Sequence, residues 1–146
     1  MSDALPRIGS ALLVKDDADR ILLGKRNKDP QRGFWVIPGG KIHAFEKIAD
    51  AAARELQEET GLTVEVGSQF KVYEIVNRPN EHRIVIYSWA RAMRGFPKAS
   101  DDLSEVKFFS REELSNILLT PLVRTVLLDA GLLPMPAQVL AAGQHG

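Results

Sequence analysis

The stretch at residues 39–62, GGKIHAFEKIADAAARELQEETGL, constrains the fold more than any other part of this chain. It begins with two glycines directly after Pro38, which is a strong turn signal. Residues 47–60 are rich in Ala, Leu and Glu, which favour helix, and Gly61 is a typical helix C-cap residue. The sequence therefore predicts a turn followed by a helix at about residues 47–60.

Three glutamates crowd one face of this predicted helix. Helical neighbours lie three and four residues apart, so Glu55 lies one turn before both Glu58 and Glu59. Like charges at this spacing repel one another. Arg54 supplies one compensating charge, and a hard divalent cation with oxygen ligands is the natural second source. The alternative is a solvated acidic face, which is the usual explanation for a run of charges.

A longer pattern favours the metal site. It reads G-x5-E-x7-R-E-U-x-E-E-x-G-U, where U is a bulky aliphatic residue. Its fixed positions are Gly40, Glu46, Arg54, Glu55, Leu56, Glu58, Glu59, Gly61 and Leu62. The pattern resembles the Nudix box of MutT-like hydrolases, with every fixed position filled. A preceding segment of that family, LLxKR…GxWxxPGG, is matched by Leu22, Leu23, Lys25, Arg26, Gly33, Trp35, Pro38, Gly39 and Gly40.

The resemblance implies a hydrolase of a nucleoside diphosphate linked to another group. It implies Mg²⁺ as the cofactor, with Mn²⁺ as a substitute. By the family's pattern, Glu55 and Glu59 are the firmest metal ligands, Glu58 is a further ligand or orienter, and the carbonyl of Gly39 is another ligand.

The same resemblance gives supporting roles to other residues of the box. Arg54 matches the residue that orients the first glutamate of the cluster; its alternative role is a plain surface ion pair. Glu46 and Gly40 match positions of structural support.

The general base is left open between two acids. Glu59 is one candidate, and Glu105 is the other because relatives place a late acidic ligand near that strand. The alternative interpretation of Glu105 is an exposed charge at the edge of a strand, with no catalytic role. We therefore take Arg54, Glu58, Glu59 and Glu105 as the catalytic candidates.

Three further residues are candidates for substrate binding. Arg26 and Lys25 carry donors that bind phosphate oxygens strongly. The alternative is that one of them is only an exposed residue at the end of a strand. Trp35 could stack on a base, but core packing is the more common fate of an aromatic side chain.

The box departs from many relatives at two positions. Those relatives read GGxxExGE, whereas this chain has His43 and Phe45 in place of Glu and Gly. The segment before the box is also similar to that of GDP-mannose mannosyl hydrolases, which lack part of the acidic cluster and cleave the sugar bond. This chain keeps the whole cluster, which favours attack at phosphorus. A glycosyl hydrolase and a catalytically silent nucleotide sensor remain the alternatives.

We expect the whole chain of 146 residues to form one domain. Residues 132–146 are predicted to be a loosely held tail. The resemblance implies an α/β/α sandwich around a mixed β-sheet. The predicted strands are residues 7–15, 21–23, 34–37, 64–76, 83–92 and 105–109, and further helices are predicted after Ser110, which begins a capping-box pattern, and at 121–130.

Composition adds a few expectations about partners and location. The net charge is zero and there is no cysteine, so neither a nucleic acid polymer nor a disulfide scaffold is expected. There is no basic signal-peptide start and no apolar stretch long enough for a membrane span. We expect a cytoplasmic protein with a small nucleotide as its substrate, and a homodimer is an open option.

Overall fold

The computed structural model describes residues 5–100 and 102–134. The described residues form a seven-stranded sheet and three helices. In chain order the elements are β1 (Arg7–Lys15), β2 (Ile21–Arg26), β3 (Trp35–Val36), β4 (Gly39–Lys41), α1 (Ile48–Thr60), β5 (Thr63–Asn77), β6 (Glu81–Arg94), β7 (Leu103–Phe109), α2 (Arg111–Leu114) and α3 (Pro121–Asp129).

The sheet is mixed, and its centre is the pair β1 and β6. These two strands run parallel along the whole of β1, whereas the other pairs are antiparallel. The strand order is β3-β2-β1-β6-β5, with β4 also on β1 and β7 also on β2. β1 and β2 pair only at Lys15 and Ile21. They then diverge, and β3 and β4 fill the gap by pairing with β2 and β1 respectively.

Two hydrophobic layers lie on opposite faces of this sheet, because successive side chains of a strand point to opposite sides. On β1, Leu12 and Val14 pack with Ala52 and Leu56 of α1. The alternate residues of the same strand pack on the other face with the buried side of α3. The α/β/α sandwich expected from the resemblance is therefore confirmed.

Helix α1 has the predicted bounds to within one residue. Its C-cap is Gly61, which has a φ of 74° and donates its N–H to the carbonyl of Gln57 at 2.9 Å. At the other end, the buried Ser10 of β1 donates its hydroxyl to the carbonyl of Ile48 at 3.0 Å. The helix is thus fixed to the central strand at the turn where it begins.

The later elements also follow the sequence prediction, although β5 and β6 are longer than expected. The capping box is present: Ser110 Oγ accepts the N–H of Glu113, and the Glu113 carboxylate accepts the N–H of Ser110. The predicted loose tail begins instead with two buried residues, Leu132 and Leu133. Its remaining part, residues 135–146, lies outside the described residues, so the single-domain assignment stays a prediction. No helix in the described part of the chain is long and apolar enough to span a membrane.

Candidate metal and substrate site

The two glycines of β4 allow α1 to approach the sheet closely. Gly40 lies opposite Ser10 on β1, and a Cβ at Gly40 would stand 2.2 Å from Cδ of Glu55. A Cβ at Gly39 would stand 2.6 Å from Cβ of Ala11 and 2.7 Å from the carbonyl oxygen of Ser10. A Cβ at Gly39 would collide with the backbone of β1, and one at Gly40 would displace the carboxylate of Glu55, which lies against bare backbone.

The backbone of Gly39 faces away from β1. The flanking hydrogen bonds, Leu12 N–H to Pro38 O and Ile42 N–H to Ile8 O, make Ala11 and Gly39 a non-hydrogen-bonded pair. The N–H and carbonyl of Gly39 therefore share the opposite edge of β4. There the N–H donates to Oε1 of Glu59 at 3.2 Å, so this carboxylate lies on the same edge as the Gly39 carbonyl.

Arg54 holds the acidic groups of this region together, and all five guanidinium N–H groups have an acceptor. Nε and Nη2 donate to the two oxygens of Glu46 at 2.7 and 2.9 Å, and Nη2 also donates to the carbonyl of Lys41 at 3.0 Å. Nη1 donates to Glu55 at 3.1 Å and to Glu58 at 2.8 Å. Arg54 is thus the centre of a network, and the alternative of an isolated surface ion pair does not describe it.

The carboxylate of Glu46 connects the loop before α1 to this network. Its side chain is 17% exposed and accepts both Arg54 and the N–H of His43, the latter at 3.0 Å. The hydrogen bond from Arg54 and then that from His43 lower the pKa of Glu46 to about 2. Glu46 therefore stays ionised and connects the loop to the helix through Arg54.

The donor chemistry of the site suits a hard divalent ion. Carboxylate and carbonyl oxygens are the ligands that Mg²⁺ prefers, and Glu55, Glu59 and the Gly39 carbonyl offer such oxygens around the glycine pair. Within residues 5–100 and 102–134, however, no three acidic or histidine side chains converge on one point. Arg54 accounts for part of this spread, since it engages an oxygen of Glu55 and one of Glu58.

A cleft of about 570 Å³ opens beside Gly39 and Glu59. It lies on the α3 face of the sheet and extends along β6. Its apolar walls include Ile37, Ile75 and Leu122. Arg26 also lines it, with Nε donating to the carbonyl of Pro30 at 2.9 Å, so one of the three predicted substrate-binding residues lies at this cleft.

The other two predicted substrate-binding residues lie elsewhere. Trp35 is only 7% exposed and packs edge-to-face on Phe109, with ring centroids 4.7 Å apart. Lys25 covers the other part of this indole, with Nζ 5.9 Å from its centroid. Trp35 therefore belongs to the core, as its alternative interpretation had it, because β3 pairs with β2 deep in the sheet.

Glu105 is not brought to the acidic cluster. It lies opposite Lys25 in the β2–β7 pair, and the next residue, Val106, packs in the layer under α1. Alternation along the strand then directs Glu105 to the other face of the sheet. Of the two candidates for the general base, only Glu59 lies at the glycine pair.

The sequence alone did not single out three polar residues of the cleft, Asn77, Glu81 and Arg83. They lie around the turn between β5 and β6, a stretch interpreted only as a hairpin. The signal that could have found them is the pairing of Asn77 with Glu81, which puts both on the same face as Arg83.

A family model for the NUDIX domain matches residues 5–129. The chain belongs to the Nudix family. The resemblance recognised in the box is therefore confirmed over nearly the whole of the described chain.

Individual relatives of this Nudix protein give the same result. An ADP-ribose pyrophosphatase of Methanocaldococcus jannaschii is 36% identical over 107 residues, which cover 73% of this chain and 62% of that protein. An uncharacterized Nudix hydrolase of Bacillus subtilis is 34% identical over 86 residues, which cover 58% of this chain and 49% of that protein. The chain thus spans less than two thirds of the length of these curated relatives.

A solved structure supports the fold. The MutT Nudix hydrolase from Burkholderia pseudomallei superimposes with a TM-score of 0.74 at 29% identity, covering 86% of this chain and 98% of that one. This Nudix protein thus shares the fold of that hydrolase over almost all of its length.

Proposed function

We propose that the protein is a Mg²⁺-dependent pyrophosphohydrolase. Its substrate would be a nucleoside diphosphate linked to another moiety, such as a nucleoside triphosphate, ADP-ribose or a nucleotide sugar. The observation that carries the proposal is that α1 places Glu55 against Gly40 and Glu59 on the N–H of Gly39, where Gly39 and Glu59 line the cleft. Membership of the Nudix family and the similarity to an ADP-ribose pyrophosphatase support it.

The acidic groups would hold the cofactor. Glu55, Glu59 and the carbonyl of Gly39 are the proposed ligands, and Glu58 is a further ligand or an orienter. When bound, Mg²⁺ would neutralise charge on the phosphates and lower the pKa of bound water. Mn²⁺ has similar preferences for oxygen ligands and would substitute.

The chain's own residues would carry the remaining steps. Water attacks phosphorus, the P–O bond of the anhydride breaks, and the products are two phosphorylated fragments. Glu59 would take the proton of the attacking water, since a positioned carboxylate acts as a general base. Arg54 keeps Glu55 and Glu58 oriented, and Glu46 fixes Arg54. Arg26 would bind a phosphate of the substrate through charge-assisted hydrogen bonds.

The alternative of cleavage at the sugar carbon can be separated by its products. It is motivated by the similarity of the segment before the box to GDP-mannose mannosyl hydrolases. Nucleoside diphosphate plus free sugar would support it, whereas nucleoside monophosphate plus sugar phosphate would exclude it. The silent sensor would bind nucleotide without any turnover.

A substrate panel tests the proposal directly. Purified protein is incubated with nucleoside triphosphates, ADP-ribose, dinucleoside polyphosphates and nucleotide sugars, with Mg²⁺ and then with a chelator. We expect metal-dependent release of nucleoside monophosphate from at least one compound. The absence of metal-dependent turnover across the panel would contradict the proposal.

A matched pair of variants assigns the activity to the acidic cluster. Glu59→Gln should lower turnover by orders of magnitude while the melting temperature stays close to that of the parent. Glu65→Gln, an exposed glutamate on β5, is the control and should leave turnover unchanged. Equal rates for parent and Glu59→Gln would refute the assignment of Glu59.

A cytoplasmic location, a homodimer and the absence of a nucleic acid polymer as partner also belong to this proposal. Neutral net charge supports the last of these, since binding of nucleic acid relies on excess positive charge.

A further inference from the structure

The turn between β5 and β6 carries a compact polar cluster at the outer end of the cleft. Asn77 Nδ2 donates to Oε1 of Glu81 at 2.8 Å, and Arg83 Nε donates to Oε2 of the same carboxylate at 3.0 Å. The carboxylate is thus held from both sides. The Asn77 amide first, and Arg83 after it, keep the pKa of Glu81 below its ordinary value, so the group is an anion and a pure acceptor at neutral pH.

This cluster lines the same cleft as Glu59 of α1. Asn77, Glu81 and Arg83 line it together with Gly39 and Glu59. Ala11 lies opposite Gly39 on one side and Tyr87 on the other, so Tyr87 marks the position of the glycine pair on β6. Arg83 lies four residues before Tyr87 on the same strand. Four residues of strand span roughly 13 Å. The cleft therefore has two separate polar ends, one at the glycine pair and one at Glu81.

The wall between the two ends is apolar. Ile37, Ile75, Leu122 and the buried Tyr87 line it, and such walls suit the flat faces of a ribose and a base. A nucleotide has the same division, because its phosphates and the hydrogen-bonding edge of its base lie on opposite sides of the sugar. With phosphates at Gly39, the base edge would meet Glu81.

The donors and acceptors at Glu81 select among bases. Guanine presents one acceptor, O6, followed by two donors, N1–H and the N2 amino group. A carboxylate beside a guanidinium presents the complement, two acceptors followed by donors. Adenine instead presents a bare N1 acceptor, which faces a carboxylate unfavourably. The side chains of Glu81 and Arg83 line the cleft and are each 41% exposed, so a ligand in the cleft can contact both.

We propose that Glu81 and Arg83 form a guanine-reading subsite, so that the substrate class is a guanine nucleotide. In this arrangement the Glu81 carboxylate accepts N1–H and N2–H, Arg83 donates to O6, and Asn77 holds Glu81 in position. The inference rests on the proposed function for the identity of the ligand as a substrate, but base recognition itself is measured without turnover.

Binding of mononucleotides to the full chain without metal tests the subsite. GMP, IMP and AMP are titrated by calorimetry; IMP has O6 and N1–H but lacks the N2 amino group. We expect GMP to bind about 10- to 100-fold more tightly than AMP, as a bidentate base contact implies, with IMP between them. Glu81→Gln should abolish the preference for GMP over IMP.

Two further variants complete the test. Arg83→Gln removes the donor to O6, so it should weaken GMP and IMP together. Glu74→Gln lies on the same hairpin but on the other face of the sheet, opposite Ile84, and should bind all three ligands like the parent.

The outcomes separate this inference from the proposed function. Equal binding of GMP and AMP, or an equal loss for all three ligands in Glu81→Gln, would overturn the subsite even if the protein hydrolyses pyrophosphates. A GMP preference that depends on Glu81, together with no turnover of any nucleotide, would support the subsite and contradict the hydrolase.

Discussion

The guanidinium of Arg54 binds both carboxylate oxygens of Glu46, with Nε 2.7 Å from one oxygen and Nη2 2.9 Å from the other. Eight residues separate the two in the sequence, and the pair joins the loop before α1 to the middle of that helix. Because the remaining N–H groups of Arg54 reach Glu55, Glu58 and the Lys41 carbonyl, the position of the loop and the orientation of the acidic cluster depend on the same side chain.

Arg54→Lys tests this dependence. Lysine keeps the charge but cannot form the two parallel bonds to Glu46 and reach the other acceptors as well. We expect kcat on the best substrate of the panel to fall about 100-fold, as a small misplacement of catalytic groups does, with a native circular dichroism spectrum. Arg91→Lys, on the exposed side of β6, is the control. Retention of full activity in Arg54→Lys would show that the network does not position the acids.

The pKa of Glu46 predicts a dependence of stability on acid. Its folded pKa, about 2, lies below the ordinary glutamate value of 4.5, so the folded state binds the proton less readily than the unfolded state. The stabilisation from this pair is therefore complete above the unfolded pKa and disappears as the pH falls from about 4.5 to about 2. Denaturant titrations across this range measure it. Glu46→Gln should show a weaker dependence, and identical slopes for the two proteins would contradict the assignment.

Substitution of the two glycines of β4 should have different effects, one on activity and the other on stability. A Cβ at Gly40 meets the mobile end of the Glu55 side chain, whereas one at Gly39 meets the backbone of β1. Gly40→Ala should therefore displace the carboxylate and lower kcat by tenfold or more with little change in melting temperature. Gly39→Ala should destabilise the fold by about 1–3 kcal/mol, the usual cost of overpacking. Thermal unfolding and activity are measured for both, and the reverse assignment of effects would refute this account.

Phe45 occupies a position where many relatives of the box have glycine. Its φ is 67°, a left-handed conformation, and its side chain is fully exposed. That conformation costs roughly 1–2 kcal/mol for a residue with a Cβ, which the greater chain entropy of unfolded glycine offsets in part. Phe45→Gly should stabilise the protein by about 0.5–1 kcal/mol, as read from the free energy of unfolding in urea. A loss of stability would contradict this account, because it would mean that a contact of the Phe45 ring stabilises the protein by more than the left-handed backbone conformation costs.

Features that depend on neighbouring residues could be predicted from the sequence. Helix α1, its cap at Gly61 and the capping box at Ser110 follow from local backbone preferences, and the box residues identified the family because their spacing is a property of the chain. The same pattern contains the glycine that allows Glu55 to approach Gly40, since a Cβ there would displace the carboxylate.

Which side chains reach the cleft depends on how the strands and helices pack together. The pairing register turned Glu105 to the face away from the acidic cluster and buried Trp35 against Phe109. The β5–β6 register put Asn77, Glu81 and Arg83 on one face, and the packing of this hairpin brought them to the cleft. A shift of one residue in a strand reverses the face of every side chain. The register of β2 against β7 is set between strands distant in sequence, and no local pattern encodes it.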